Sequence, residues 1–173
     1  MAYKIQNLVV TANLNCEINM DYLNFSLPDF NYNKQRFNGG ILKLQDPKCT
    51  FLIFRTGKVV CLACKTMEDV HSSMNRLIDL LPEFNVRLTD IKIVNVVGSY
   101  NFGRRIRILD LAREIPHATY EPEIYPAVII KENSSTVLIF HTGKIIITGC
   151  KSISDSFHMF RVMERLITQY PNL

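Results

Sequence analysis

The feature that most constrains this chain is that it contains the same pattern twice. Lys4-Ile5-Gln6-Asn7-Leu8-Val9 recurs as Lys92-Ile93-Val94-Asn95-Val96-Val97, an offset of 88. Phe51-Leu52-Ile53-Phe54-Arg55-Thr56-Gly57-Lys58-Val59 recurs as Val137-Leu138-Ile139-Phe140-His141-Thr142-Gly143-Lys144-Ile145, an offset of 86. Cys64-Lys65-Thr66 matches Cys150-Lys151-Ser152 at the same spacing. Arg76-Leu77-Ile78 with Pro82 matches Arg165-Leu166-Ile167 with Pro171, offset 89. Four blocks in one order at nearly constant spacing indicate duplication of a supersecondary unit. The repeats are expected to span 1–88 and 89–173 and to pack as one unit, because the link Glu83–Asp90 is short and lacks Gly and Pro.

Each repeat reads as strands followed by a long helix. Leu52–Phe54 and Val59–Leu62 flank a Gly-containing turn, as do Leu138–Phe140 and Ile145–Ile147, which predicts two equivalent hairpins. Thr66 with Asp69, and Ser152 with Asp155, have the spacing of a capping box at a helix start. Val70, Met74, Leu77, Ile78 and Leu81 form one apolar stripe, and Phe160, Met163, Ile167 and Tyr170 form the other. Pro82 and Pro171 end both helices. Shorter helices are expected near Met20–Phe25 and Ile106–Arg113. The resulting class is α+β.

Composition narrows the function. At 173 residues, 47% apolar and 21% charged, the chain can build a core without metal or disulfide staples. No apolar run reaches membrane-spanning length, and the start runs straight into alternating strand pattern, unlike a secretory signal. A soluble, intracellular protein is expected. Five cysteines, an odd number, suit a reducing compartment. Cys61-Leu-Ala-Cys64 has metal-ligand spacing but no second ligand pair, and it reads as the end of a strand, so no metal site is assigned. No H-E-x-x-H or G-x-S-x-G occurs, and Gly57-Lys58 and Gly143-Lys144 lack the earlier glycine of a phosphate loop, so no catalytic residue is assigned. No cofactor, small-molecule substrate or membrane partner is expected. The net charge of +4, divided evenly between the repeats, permits a polyanion partner without requiring one.

The strands carry an anomaly. Residues of both parities around Asn7 are apolar, so the second face of the sheet is not simply solvated. Val9 and Val60 would share that face with Asn7, as Val97 and Ile146 would with Asn95. About four helices can cover only one side of a sheet of about ten strands, which leaves an apolar face bearing amides as a binding surface. Such a face suits the floor of the DNA minor groove, where A·T pairs offer acceptors and no donors. Lys58 with Thr56, and Lys144 with Thr142, would reach phosphates from the hairpin turns.

Arg36-Phe37, the Leu52-Ile-Phe-x-x-Gly-Lys58 hairpin, Tyr120-Glu-Pro-Glu-Ile-Tyr-Pro126 and the second hairpin through Gly149 resemble the TATA-box-binding protein family in order and spacing, over about residues 3–172. The family is itself the standard case of minor-groove wedging and DNA bending. The resemblance implies a saddle: two tandem quasi-symmetric repeats forming a curved ten-stranded antiparallel sheet, with four helices on the convex side. Phe37 and Phe54 then stand as one wedge pair, Tyr125 and Phe140 as the other. Asn7, Val9, Leu52, Val60, Asn95, Val97, Leu138, Ile146 and Thr148 fall on the groove floor, and Arg36, Lys43, Thr56, Lys58, Lys131, Thr142 and Lys144 on the phosphates. Glu121, Glu123 and Ile124 fall on the loop that meets a TFIIB-type factor. The implied partners are A·T-rich promoter duplex, that factor and a TFIIA-type factor, acting in a nucleus or a viral replication compartment. Tyr125 stands where the family has Phe, Leu62 where it has Thr, and Ala63 where it has Gly, and Arg76 is alone on a helix that is usually basic. These departures bear on how strictly TATA is preferred. The competing reading is a non-catalytic interaction module of the same fold with weak or no sequence-specific DNA binding.

Overall fold

The computed structural model describes residues 2–169. The chain runs β1 (Lys4–Asn13), α1 (Met20–Ser26), β2 (Phe30–Tyr32), β3 (Gly40–Gln45), β4 (Lys48–Ile53), β5 (Lys58–Cys64) and α2 (Met67–Asp79). It then repeats this order as β6 (Thr89–Asn101), α3 (Ile108–Glu114), β7 (Ala118–Thr119), β8 (Ala127–Glu132), β9 (Ser135–Phe140), β10 (Lys144–Cys150) and α4 (Ile153–Gln169). The ten strands form an open antiparallel sheet in the order β2-β3-β4-β5-β1-β6-β10-β9-β8-β7. Ten strands, four helices and two repeats are the architecture expected from the sequence. Tyr170 and Pro171, assigned to the second stripe and its stop, lie outside the described residues.

Packing divides the chain into two units, Asn7–Val94 and Met1–Gln6 with Asn95–Leu173. In the first, the buried parity of each strand (Leu8, Val10, Leu42, Phe51, Ile53, Val59, Cys61) meets Leu23 of α1 and Val70, Met74 and Leu77 of α2. Alternation is what allows this: with a period of two, one face of each strand is apolar enough to take the helices. Helix α2 starts in a complete capping box, in which the Thr66 side chain accepts from the Asp69 amide at 3.0 Å and the Asp69 carboxylate accepts from the Thr66 amide at 3.2 Å. These bonds hold the Asp69 carboxyl below its ordinary pKa.

In the second unit, Val128, Ile130, Val137, Ile139, Ile145 and Ile147 are buried, as are Leu111 of α3 and Phe160, Met163 and Ile167 of α4. The Asp155 amide donates to the Ser152 hydroxyl at 3.0 Å at the start of α4. Tyr3 belongs to this unit. Its ring stacks on Phe160 and meets Phe157 edge-on, and its hydroxyl lies 2.5 Å from the Ser156 hydroxyl. Burial pushes the Tyr3 phenol above its ordinary pKa. Tyr3 requires Gly98 beneath it, because a Cβ there would collide with the ring.

Each repeat contains the same irregularity. Between β1 and β5 the register runs Leu8↔Cys64 and then Val10↔Cys61, so Leu62 and Ala63 together oppose Val9. Between β6 and β10 it runs Val96↔Cys150 and then Gly98↔Ile147, so Thr148 and Gly149 oppose Val97. These are β-bulges, and each resets the in–out alternation of its strand by one residue. The inserted residues have positive φ, 72° at Ala63 and 89° at Gly149. Glycine adopts that conformation freely, whereas an alanine is strained in it.

Candidate nucleic-acid interface

The sheet face opposite the helices is uniform in each unit. In the first, the register lines up Thr11, Val60, Leu52, Ile41 and Asn31 across β1, β5, β4, β3 and β2. In the second it lines up Ser99, Ile146, Leu138, Ile129 and Thr119 across β6, β10, β9, β8 and β7. Thr11 through Ile41, and Ser99 through Ile129, are all half-buried, neither covered by a helix nor fully solvated. Val9 and Asn7 share the parity of Thr11, and Val97 and Asn95 that of Ser99. Lys43 pairs with Thr50 and Thr50 with Leu62, while Lys131 pairs with Thr136 and Thr136 with Thr148. The two faces therefore match except that Leu62 stands for Thr148, Thr11 for Ser99, Val60 for Ile146 and Asn31 for Thr119, the last three small changes in bulk. Near the hairpin of the first unit the face deepens into a groove of about 520 Å³ whose lining includes Thr11, Phe54, Thr56, Lys58, Val60 and Asp90.

The bulges orient the two amides. Oδ1 of Asn7 accepts from the Ala63 amide at 2.8 Å. Oδ1 of Asn95 accepts from the Gly149 amide at 2.7 Å and from the Thr148 hydroxyl at 3.5 Å. With each oxygen tied back to a bulge, the NH₂ end is turned the other way. Neither Nδ2 makes a hydrogen bond among the described residues. Each unit thus presents one directed amide donor on a half-buried apolar face.

Two aromatic pairs stand beside these faces. Phe37 comes from the turn after β2 and Phe54 from the end of β4; their rings lie 5.7 Å apart at 70°. Tyr125 comes from the turn before β8 and Phe140 from the end of β9; their rings lie 6.0 Å apart at 64°. Phe37 and Tyr125 are each 38% exposed, the same in both units. Tyr125 therefore occupies the place of Phe37, with its ring against Phe140.

Arg36, Lys43, Thr56, Lys58, Lys131, Thr142 and Lys144 are all exposed, and none of the five cations is in an ion pair among the described residues. Glu121, Glu123 and Ile124 are exposed in the turn closed by the Ile124 and Tyr125 amides donating to the Glu121 carbonyl, and Ile124 is 77% exposed.

Several residues on these faces escaped sequence reasoning. Thr11, Ser99, Ile41 and Ile129 carry the offset of 88, which was the available signal, but only strand register places them in the rows. Asp90, expected at the end of the link between the repeats, is a strand residue with φ 56° that lines the groove with Lys58. Cys49 was also missed. The structure brings its sulfur to Cys61 and Cys64, with all three within 4.8 Å of one another, so the Cys-x-x-Cys pair has the third thiol that the linear spacing lacked.

Among the described residues no helix is long and apolar enough to cross a membrane. The sequence profile of the family described as transcription factor TFIID, or TATA-binding protein, matches residues 2–84 and 90–170. A TATA-box-binding protein of Pyrobaculum calidifontis is 37% identical over 159 residues, covering 89% of this chain and 80% of its own. One from Thermococcus celer is 32% identical over 172 residues, covering 96% and 91%. The solved structure of the Methanococcus jannaschii protein superposes with a TM-score of 0.87 at 30% identity, covering 98% of this chain and 99% of that one.

Proposed function

The chain belongs to the TATA-binding protein family, and from that premise we propose that it binds the minor groove of A·T-rich promoter DNA, bends the duplex and recruits a TFIIB-type factor and RNA polymerase. Membership gives it the role of a general transcription initiation factor in a non-enzymatic family acting on DNA. One observation carries the finer reading. Both units have the same half-buried apolar sheet face, with one braced amide and one aromatic pair that has an exposed ring.

That combination has a physical fit to the minor groove. The floor of an A·T step presents adenine N3 and thymine O2, both acceptors, and the Asn7 and Asn95 NH₂ groups are donors with no partner among the described residues. Val9, Val60, Leu52 and their counterparts Val97, Ile146 and Leu138 displace water from the sugar edges. Phe37 with Phe54, and Tyr125 with Phe140, are rings that can enter an opened base step, and their contact with the unstacked bases offsets an unstacking cost of a few kcal/mol. Arg36, Lys43, Lys58, Lys131 and Lys144 hold the backbone, with Thr56 and Thr142 as neutral donors. The acidic turn with Glu121, Glu123 and Ile124 is the surface proposed for the TFIIB-type factor; a TFIIA-type factor is a further partner with no residue assigned. The archaeal relatives need no nucleus, so the reading is of action at promoter DNA and not of a compartment.

The test is end-to-end fluorescence transfer on a short A·T-rich duplex. Transfer rises as protein is added and falls again when a minor-groove A·T ligand competes. An unchanged end-to-end distance at saturation refutes bending, and absence of binding favours the interaction-module reading. Glu123→Arg leaves this signal intact and abolishes capture of the TFIIB-type factor, since reversing a charge at a complementary interface is worse than deleting it.

A further inference from the structure

We infer that Cys49, Cys61 and Cys64, with the hydroxyl of Ser73, form a binding site for a soft d¹⁰ cation, zinc(II) being the ion that this four-donor set fits. The site lies on the helix-facing side of the first unit. Cys49 is on β4, Cys61 and Cys64 flank the bulge of β5, and Ser73 is on α2.

The bulge creates the site. On a regular strand, residues three apart point to opposite faces. The extra residue at Ala63 resets the alternation, so Cys61 and Cys64 both turn inward, with relative exposures of 0% and 1%. Their sulfurs are 3.5 Å apart. Cys49, 2% exposed, comes from the neighbouring strand, and the three sulfurs lie within 4.8 Å of one another. Zinc–sulfur bonds of about 2.3 Å in a tetrahedron require sulfurs about 3.8 Å apart, so only small adjustments close the set on an ion. Ser73 is fully buried, and its hydroxyl oxygen sits 3.8 Å from Cys64 Sγ, which makes it the candidate for a neutral fourth donor.

The donor chemistry selects the ion. Three sulfurs without imidazole or carboxylate favour zinc(II) and its soft relatives over magnesium, calcium or manganese. Asp69, the nearby carboxylate on α2, is occupied in the capping box. Zinc(II) displaces three thiol protons to solvent, and the resulting centre carries a single negative charge, far easier to bury than three separate thiolates.

The second unit is an internal control. At the positions of Cys49, Cys61 and Cys64 it has Ser135, Ile147 and Cys150, on the equivalent strands β9 and β10 and beside the equivalent bulge. Its one thiol rests against a hydroxyl, with Ser135 Oγ 3.2 Å from Cys150 Sγ. The second repeat thus brings together one sulfur where the first brings three. The ion would also brace Ala63, whose amide holds Asn7 on the opposite face of the sheet.

The test is native mass spectrometry of the reduced full chain after exposure to zinc(II) and removal of excess ion, alongside a cadmium(II) titration followed by sulfur-to-metal charge-transfer absorption. One zinc is retained per chain, and the cadmium signal reaches its plateau at one equivalent. Cys150→Ser retains the ion; Cys49→Ser and Cys61→Ile lose it. The last two install residues that the second repeat already has at those places, and circular dichroism verifies their fold. The cadmium titration of the unaltered chain stands independently of any variant. No retained ion, equal retention by Cys49→Ser, or a loss of two hydrogens signalling a disulfide among these cysteines overturns the assignment.

Discussion

Replacing Asn7 by aspartate separates the two ends of its side chain. Oδ1 is bonded to the Ala63 amide at 2.8 Å, and Nδ2 has no partner among the described residues. Asn7→Asp keeps the shape and the bulge bond, since a carboxylate oxygen accepts from the same N–H. The outward donor becomes an anionic acceptor facing thymine O2 or adenine N3. Losing one specific base contact costs about 1–3 kcal/mol, or roughly 5- to 150-fold in affinity, and acceptor–acceptor repulsion adds to that loss. Stability should move by less than about 0.5 kcal/mol, as for a surface change that removes no packing. Asn7→Ala behaves differently. It unties the bulge amide as well, at about 0.5–1.5 kcal/mol, which lowers Tm by roughly 1–6 °C for a chain of this size. Fluorescence anisotropy on an A·T-rich duplex at fixed salt measures the first effect, and thermal unfolding measures the second. Asn95→Asp should act alike, through Gly149 in place of Ala63. If Asn7→Asp binds DNA as tightly as the unaltered chain, the NH₂ group does not face the groove and the interface assignment fails.

Three further outcomes follow from the geometry. Ala63→Gly should raise stability by about 0.5–1 kcal/mol, because relief of about 1–2 kcal/mol of left-handed strain exceeds the added freedom of the unfolded chain; a lower Tm in thermal unfolding would show that the alanine is not strained. Lys58→Ala and Lys144→Ala should each flatten the log–log salt dependence of DNA binding by up to about 0.9 and leave sequence preference unchanged, and an unaltered slope places these lysines off the phosphates. Tyr125→Phe should slow dissociation from bent DNA, since it removes a hydroxyl that must stay hydrated while the ring inserts, whereas Phe54→Tyr should speed it; stopped-flow measurement of both on one duplex decides, and equal effects would mean that Tyr125 only packs beside Phe140.

The duplication, the hairpins, the helix starts at Thr66 and Ser152 and the separation of covered from uncovered strand parity were all legible along the chain. The duplication is repetition along the chain itself, and the other features are local: a period of two, a period of 3.6, a cap three residues from its partner. Tertiary structure decided everything that depends on register between strands. Nothing in the spacing of Asn7 and Ala63 joins them, yet a bulge turns one amide into the anchor of the other. Phe37 and Phe54 lie on opposite sides of a complete hairpin; the resemblance couples them as a pair, but it is the pairing of β3 with β4 that sets their rings 5.7 Å apart. The same cause hid the thiol cluster. A strand with a constant period of two sends Cys61 and Cys64 to opposite faces, and the single residue inserted at Ala63 sends them to the same one, beside Cys49.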